Sequence, residues 1–306
     1  MTGSRAPGAR PRVALAASPQ YPDLLEEGPL IRGALARVGV DALTAVWSDP
    51  AVDWSAFDLV VANGAWDNIH HAAAFLDWVD RVAAGGVRVV NSPATLHWNL
   101  DKRYLRDLEA AGVPTVPTQW VEPAGGPLEP SALALPAGEI VVKPSVSGGG
   151  YRTARYEPHE HDAARAHVAE LVGSGRTAMI QPYQPAVDSA GEAGLVFLGG
   201  RFSHAIHKGP MIRRGTGAVD SLIENQVVTG TTATTAQLAV GRRALAAAED
   251  RLGPTTYARV DVVERSDGAP ALLELELLDP VLFFAEVPEA ADTFARVLRE
   301  RISRPG

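Results

Sequence analysis

Short apolar runs alternate with longer amphipathic ones along the first third of the chain. RVALAA (12–17), DALTAVW (41–47), FDLVVAN (57–63) and VRVVNSP (87–93) read as strands. PLIRGALARVGV (29–40), closed by Gly39, and AAAFLDWVDRVAAGG (72–86) read as helices. Strands this apolar, separated by helices, predict a parallel sheet covered on both faces. Ligands of such sheets bind beyond the carboxyl ends of the strands, which points to the loops at 17–21 and 63–71.

A second pattern begins near Asp101. DKRYLRDLEAAG (101–112) reads as a helix stopped by Gly112, with Lys102 at its opening. The stretch 113–138 is rich in proline and glycine and reads as an exposed connection with one short strand at 118–121. EIVVKP (139–144), YRTARY (151–156) and TAMIQPY (177–183) read as strands, and 160–175 as a helix. Together they predict a small α+β unit with the dimensions of a lid. Further on, GLVFLGGRFSHAIHK (194–208) is a hairpin around Gly199 and Gly200. Residues 213–230 carry no period and read as a loop, 234–253 as a long helix, and 256–280 as a hairpin turning at Ser266, Asp267 and Gly268. The implied division is a disordered leader (1–11), an N-terminal α/β domain (12–100), a lid (101–186) and a C-terminal α+β domain (187–306). A chain of 306 residues exceeds what one core usually supports, which agrees with several units.

Composition narrows the partners. The formal net charge is −8 with no long basic run, which excludes nucleic acid as the main partner. No apolar stretch approaches the length of a membrane span, and the apolar part of the first 18 residues is too short for a signal peptide. With no cysteine, thiolate nucleophiles, disulfides and cysteine–metal sites are excluded, and a reducing cytoplasm is the expected location.

The candidate chemistry concentrates in three places. In the last hairpin Arg259 and Asp261 share one strand face, as do Glu274 and Glu276, with Leu273, Leu275 and Leu277 pointing the other way. Closing the hairpin at its turn brings three carboxylates and an arginine together. Such a cluster is costly unless a hard divalent cation such as Mg²⁺ compensates it; a salt-bridged, solvent-facing strand edge is the plainer alternative. In VVKPSVSGGG, Lys143 ends a strand and Gly148, Gly149 and Gly150 expose backbone N–H groups, a combination suited to phosphate. It is not a Walker loop, because the lysine precedes the glycines. In MIQPY, Gln181, Pro182 and Tyr183 form a connector able to face a purine, with Glu192 close enough to accept from ribose hydroxyls; a plain linker has the same look.

Taken in order, Lys102, VVKPSVSGGG, MIQPY, RVD and ELE resemble the ATP-grasp superfamily. The spacing of Asp261 and Glu274 matches D-alanine–D-alanine ligase-like members. The stretches DPAVDWSAFDLVV, WNLDKRYLRDL, GVPTVPT, GEAGLVFLGGRFSHAIHK, YARVDVV and LLELELLDPVLF are similar to the cycloserine-ligase-like group. The resemblance runs from about Arg12 to the end of the chain. It implies an ATP-grasp fold and an ADP-forming carboxylate–amine ligase that passes through an acyl-phosphate, with a secondary-metabolic role. Lys102, Lys143 and Lys208 would meet ATP phosphates, covered by Ser147, Gly148, Gly149 and Gly150. Gln181, Pro182 and Tyr183 would hold adenine, and Glu192 ribose. Asp261, Glu274 and Glu276 would hold two Mg²⁺ ions, with Mn²⁺ as a substitute, and Arg259 would steady the acyl-phosphate. Small-molecule carboxylate and amine substrates are implied, with a homodimer as a family expectation. Two segments depart from the pattern: GAWDNIHH (64–71) and RRGTGAVDSLIENQVVTG (213–230). From them Trp66, Asp67 and Arg213 are the substrate-contact candidates, while His70 and His71 read as surface. The competing readings are an intramolecular cyclo-ligase of the cycloserine-forming kind, a simple kinase and an inert nucleotide-binding protein.

Overall fold

Three sheets organise the computed structural model, which describes residues 9–123, 129–215, 217–221 and 227–303. Most of the expected leader (1–8) lies outside the described residues. The first sheet contains β1 (Arg12–Ala17), β2 (Asp41–Val46), β3 (Leu59–Gly64) and β4 (Arg88–Val90), with α1 (Glu27–Arg37) and α2 (Ala72–Ala84) between them. All its pairs are parallel and the order is β2-β1-β3-β4. Alternate residues feed two cores. Val13, Leu15, Leu59 and Val61 pack toward α1; Ala14, Ala16, Val60 and Ala62 pack toward Phe75 and Trp78 of α2.

An unforeseen helix, α3 (Pro93–Asn99), follows β4. Its start signal is plain in hindsight: the Ser92 hydroxyl accepts from the N–H of Thr95, and Pro93 occupies the first turn. α4 (Tyr104–Ala110) begins two residues after Lys102, which corrects the expectation that Lys102 opens a helix. The Asp101 carboxylate instead accepts from the Arg103 N–H, and the Lys102 N–H donates to the carbonyl of Ser145.

The second sheet is antiparallel, order β5-β8-β6-β7, from β5 (Gln119–Val121), β6 (Ile140–Pro144), β7 (Ala154–Tyr156) and β8 (Ala178–Pro182). α5 (His161–Gly173) covers one face through Ala164, Val168 and Leu171, packed on Ile140, Val142 and Ile180. The short α6 (Val187–Ala190) then leads to the third sheet: β9 (Glu192–Leu198), β10 (Arg201–Lys208), β11 (Val228–Thr231), β12 (Tyr257–Glu264) and β13 (Pro270–Glu276), antiparallel in the order β11-β10-β9-β12-β13. α7 (Thr235–Leu252) packs Val240, Ala244 and Leu245 on its outer face. β11 corrects the expected loop at 213–230. It is an exposed edge strand of Val, Thr and Gly, so no alternation of apolar and polar positions marks it.

The chain closes on itself through α8 (Ala290–Ser303), a helix not foreseen. Its Ala291, Phe294, Ala295 and Leu298 recur at helical spacing and bury against α1 and the first sheet. The segment between β13 and α8 is tied down as well. Glu27, buried at the start of α1, accepts from the N–H groups of Leu282 (3.1 Å) and Phe284 (3.0 Å). No described helix is long and apolar enough to cross a membrane.

Candidate active site

The last hairpin is the centre of the site. Its register sets Arg259 opposite Glu276 and Asp261 opposite Glu274. The pairing then slips, so that Val262 faces Leu272 and Leu273 is left over as a bulge. This corrects the expectation for Leu273: it packs against the small cluster of Val116, Val187, Val263 and Ala271, whereas Leu275 and Leu277 enter the core under α7. The bulge lets the strand keep Leu272 and Leu275 in that core while Glu274 and Glu276 point to the opposite side. One carboxylate oxygen from each of Asp261, Glu274 and Glu276 lies within 4.8 Å of the others.

Cations interleave with these acids. Arg259 donates from Nε to Asp261 (2.9 Å), from its terminal nitrogens to Asp261 and Glu276, and to the carbonyl of Val281 (3.0 Å). Lys208 is paired with Asp261 (2.7 Å) and with Glu192 (2.9 Å), its cross-strand neighbour on β9. Lys143, at the end of β6, donates to Glu274 (2.8 Å), and Lys102 lies 3.8 Å from the same carboxylate. Lys102 also donates to the backbone carbonyl and, at 3.2 Å, the hydroxyl of Ser147. All three lysines are buried, although they come from an interhelix turn, a strand of the second sheet and a strand of the third sheet. Gly149 and Gly150 adopt positive φ (58° and 77°) in the loop that Ser147 and Gly148 begin. The loop therefore needs residues without a Cβ.

Two ion-pair groups, Glu192, Lys208, Asp261, Arg259 and Glu276 on one side and Lys102, Lys143 and Glu274 on the other, meet at the three clustered carboxylates and make one ionic network. Burial would raise the Asp261 carboxyl, but Arg259 and Lys208 reverse the sign and hold it well below the usual carboxylate range. Glu274 is likewise raised by burial and pulled down by Lys102 and Lys143, to about 2. Glu276 goes the other way: burial and the two neighbouring carboxylates outweigh Arg259 and lift it to about 7. Burial lowers Lys208 and Arg259, yet the surrounding acids leave both above their ordinary values.

The connector residues Gln181, Pro182 and Tyr183 engage other partners. Gln181 is buried on β8 and donates to the Thr118 hydroxyl (2.8 Å). Pro182 ends the strand; Tyr183 follows, with its hydroxyl on Asp188 (2.6 Å). The substrate candidates separate. Trp66 donates from Nε1 to the Asp279 carbonyl (3.0 Å) and meets Tyr21 edge-on. Asp67 turns away to accept from Trp47 Nε1 (2.7 Å), and Arg213 is exposed. Sequence reasoning did not single out Asn68, which donates to the Asp279 carboxylate (2.5 Å) and so fixes the 63–71 loop on the segment after β13. His70 and His71 are exposed, as expected, and His70 stacks edge-on with Tyr151 beside the glycine loop (4.8 Å).

Asp279 supplies a pH test of this loop anchor. Burial lifts its carboxyl from 3.8 to about 6 despite the Asn68 bond. A folded-state pKa above the unfolded one gives stability that is present below about pH 4 and lost as pH rises through about 6. The Asp279→Asn variant lacks that loss. Relative to wild type it gains up to about 3 kcal/mol between pH 4 and pH 7 in urea denaturation. A difference independent of pH contradicts the assignment.

Comparison with known proteins agrees with this fold. Residues 13–91 match the model of the D-cycloserine synthetase DcsG N-terminal domain. The cycloserine biosynthesis protein DcsG of Streptomyces lavendulae is 38% identical over 282 residues, covering 90% of this chain and 93% of that protein. The chain belongs to the DcsG family of the ATP-grasp superfamily. The crystal structure of D-cycloserine synthetase DcsG superimposes with a TM-score of 0.86 at 35% identity, over 95% of this chain and all of that one. D-alanine–D-alanine ligase of Bacillus anthracis, solved in complex with ATP, shares the fold at a TM-score of 0.63 and 12% identity, over 95% and 97% of the two chains. The three sheets are thus those of an ATP-grasp ligase: a parallel N-terminal sheet and two antiparallel sheets that face each other across the ionic network.

Proposed function

We propose that this chain is an ATP-dependent, ADP-forming ligase that activates a small amino-acid-type carboxylate as its acyl-phosphate and joins it to an amine. The ionic network carries the reading. The three carboxylates offer only oxygen donors, converge within 4.8 Å and are largely removed from water, which suits hard divalent cations. Asp261, Glu274 and Glu276 would hold Mg²⁺, two ions in this reading, which supplies Lewis-acid stabilisation of phosphoryl oxygens. With Glu276 ionised, four cations and four carboxylates make the network neutral as a set. A nucleotide triphosphate arriving with two divalent ions is itself near neutral, so the balance is preserved.

Each protein group then has a role. Lys102, Lys143 and Lys208 exchange part of their pairing with Glu274 and Asp261 for phosphate oxygens. The backbone N–H groups at 147–150 cover those oxygens, and the hinge at 181–183 receives the base with Glu192 near the ribose. The substrate carboxylate attacks the γ-phosphorus, ADP leaves, and the amine attacks the acyl carbon with release of phosphate. Positioning and charge neutralisation are what this chemistry requires of the protein. Arg259 donates to both Asp261 and Glu276, holding them in place, and adds positive charge beside the acyl-phosphate. The lid at 101–186 would exclude water from that intermediate, between the N-terminal unit (12–100) and the C-terminal unit (187–306).

A second reading, intramolecular ring closure of the cycloserine-forming kind, is favoured by the 38% identity to DcsG along 93% of that protein. One assay separates the two. ATP and Mg²⁺ are incubated with pools of amino acids and carboxylic acids, with and without hydroxylamine, and ADP, AMP, phosphate and hydroxamate are measured. ADP, phosphate and a hydroxamate that depend on particular acids support the ligase. Turnover with one organic substrate alone, giving a product lighter by one water, selects ring closure. AMP with pyrophosphate overturns the proposal.

A further inference from the structure

One row of lid side chains contains a charged residue, Arg155, that has no place in the roles above. Ile140 and Val142 of β6 point into the lid core, so Val141 and Lys143 face the opposite side, where Lys143 meets Glu274. Val141 stands opposite Arg155 on β7 and opposite Gln181 on β8. Arg155, Val141 and Gln181 therefore cross the sheet as one row on the side of the ionic network, ending beside the hinge.

Arg155 is 4% exposed and heavily engaged. Its Nε donates to Glu139 (2.7 Å), and its two terminal nitrogens reach the two oxygens of Asp188 (2.9 and 3.0 Å) as a fork. Its guanidinium carbon lies 3.4 Å from the centroid of the Tyr183 ring. Tyr183 is held at two further points: its N–H donates to the Glu139 carbonyl (2.8 Å) and its hydroxyl to Asp188 (2.6 Å). Glu139 precedes a lid strand, Asp188 lies in α6 between lid and third sheet, and Tyr183 is the hinge itself. The lid core at α5 is apolar and contains none of these groups. A buried arginine with two carboxylates costs more desolvation than an apolar plug of similar size. Its gain is geometric, since a planar fork over a ring fixes both. The carboxylates also consume its charge, so it is poorly suited to binding phosphate.

We propose that Arg155 is a positioning residue for the nucleotide base. By clamping Tyr183 between Glu139 and Asp188 it sets the backbone of 181–183 in the geometry that receives adenine. This rests on the ATP-binding reading of the site. The test compares Mg²⁺–ATP with Mg²⁺–tripolyphosphate, which has phosphates and no base. In Arg155→Ala, the Kd for ATP rises about 3- to 30-fold, the scale of one desolvated cation–aromatic contact. Tripolyphosphate affinity and kcat at saturating ATP stay close to wild type, and millimolar guanidinium restores ATP affinity. Arg155→Lys keeps a charge for the two acids and lacks the planar face; it shows the same ATP-selective loss, and it decides the matter if the alanine variant fails to fold. Unchanged ATP affinity in a folded variant, or equal losses for ATP and tripolyphosphate, overturns the proposal. Wild-type protein that binds neither compound overturns the ATP reading as well, so the two failures are distinguishable.

Discussion

Glu274→Gln lowers ATP turnover by about 10³-fold or more, while metal-free nucleotide binds at least as tightly as to the wild type. The two effects have opposite signs because Glu274 has two kinds of neighbour. Its carboxylate belongs to the oxygen cluster with Asp261 and Glu276, and it also holds Lys143 at 2.8 Å and Lys102 at 3.8 Å. Glutamine keeps the shape and removes the charge. The cation site loses an anionic ligand, so positioning and neutralisation of the phosphates fail at the reacting centre. The lysines lose their competitor and are free to meet phosphate. Titrating ATP in chelator, alongside turnover in saturating Mg²⁺, reads both. A variant that loses ATP affinity in chelator, or retains near-wild-type turnover in Mg²⁺, contradicts the assignment of Glu274 as metal ligand.

Arg259→Lys lowers turnover by about 10²- to 10³-fold and weakens the metal-free fold more than the metal-loaded one. The guanidinium meets Asp261, Glu276 and the Val281 carbonyl at once, and an ammonium on a flexible stem cannot span all three. Without the fork, the buried Asp261 and the half-buried Glu276 face each other with less compensation. Breaking such a pair costs about 3–5 kcal/mol in buried settings. Mg²⁺ supplies the missing charge, so the stability deficit shrinks when the ion is added. Thermal unfolding with and without Mg²⁺ measures that difference, and single-turnover hydroxamate formation measures the activated acid. Equal destabilisation with and without Mg²⁺ contradicts a shared cation and arginine field.

The sequence exposed the parts of the fold that follow from period and turn chemistry. In the last hairpin the alternation of Arg259 with Asp261 and Glu274 with Glu276, together with the turn at Ser266, Asp267 and Gly268, was enough to anticipate the cluster. The bulge at Leu273 was not visible, because a one-residue slip leaves no trace in composition. α3 and α8 were missed although their signals are present: Ser92 before Pro93, and Ala291, Phe294, Ala295 and Leu298 at helical spacing. β11 had no such signal, being short, polar and at an edge. The same contrast holds in the site. Lys143 beside three glycines announces itself locally. Arg155 does not, because Glu139, Asp188 and Tyr183 come from other segments and are brought to it only by folding. Asp67 illustrates the limit for substrate contacts, since its neighbour Trp47 lies on another strand's exit and draws the carboxylate away from the ionic network.

The most direct test of the account follows one oxygen atom. A carboxylic acid that supports turnover is labelled with ¹⁸O in its carboxylate, and the released nucleotide and phosphate are examined by mass spectrometry. If the carboxylate attacks the γ-phosphorus and the amine then attacks the acyl carbon, one ¹⁸O atom per turnover appears in inorganic phosphate and none in the nucleotide. Label in AMP, or phosphate free of label, contradicts an acyl-phosphate formed at the Asp261, Glu274 and Glu276 cluster.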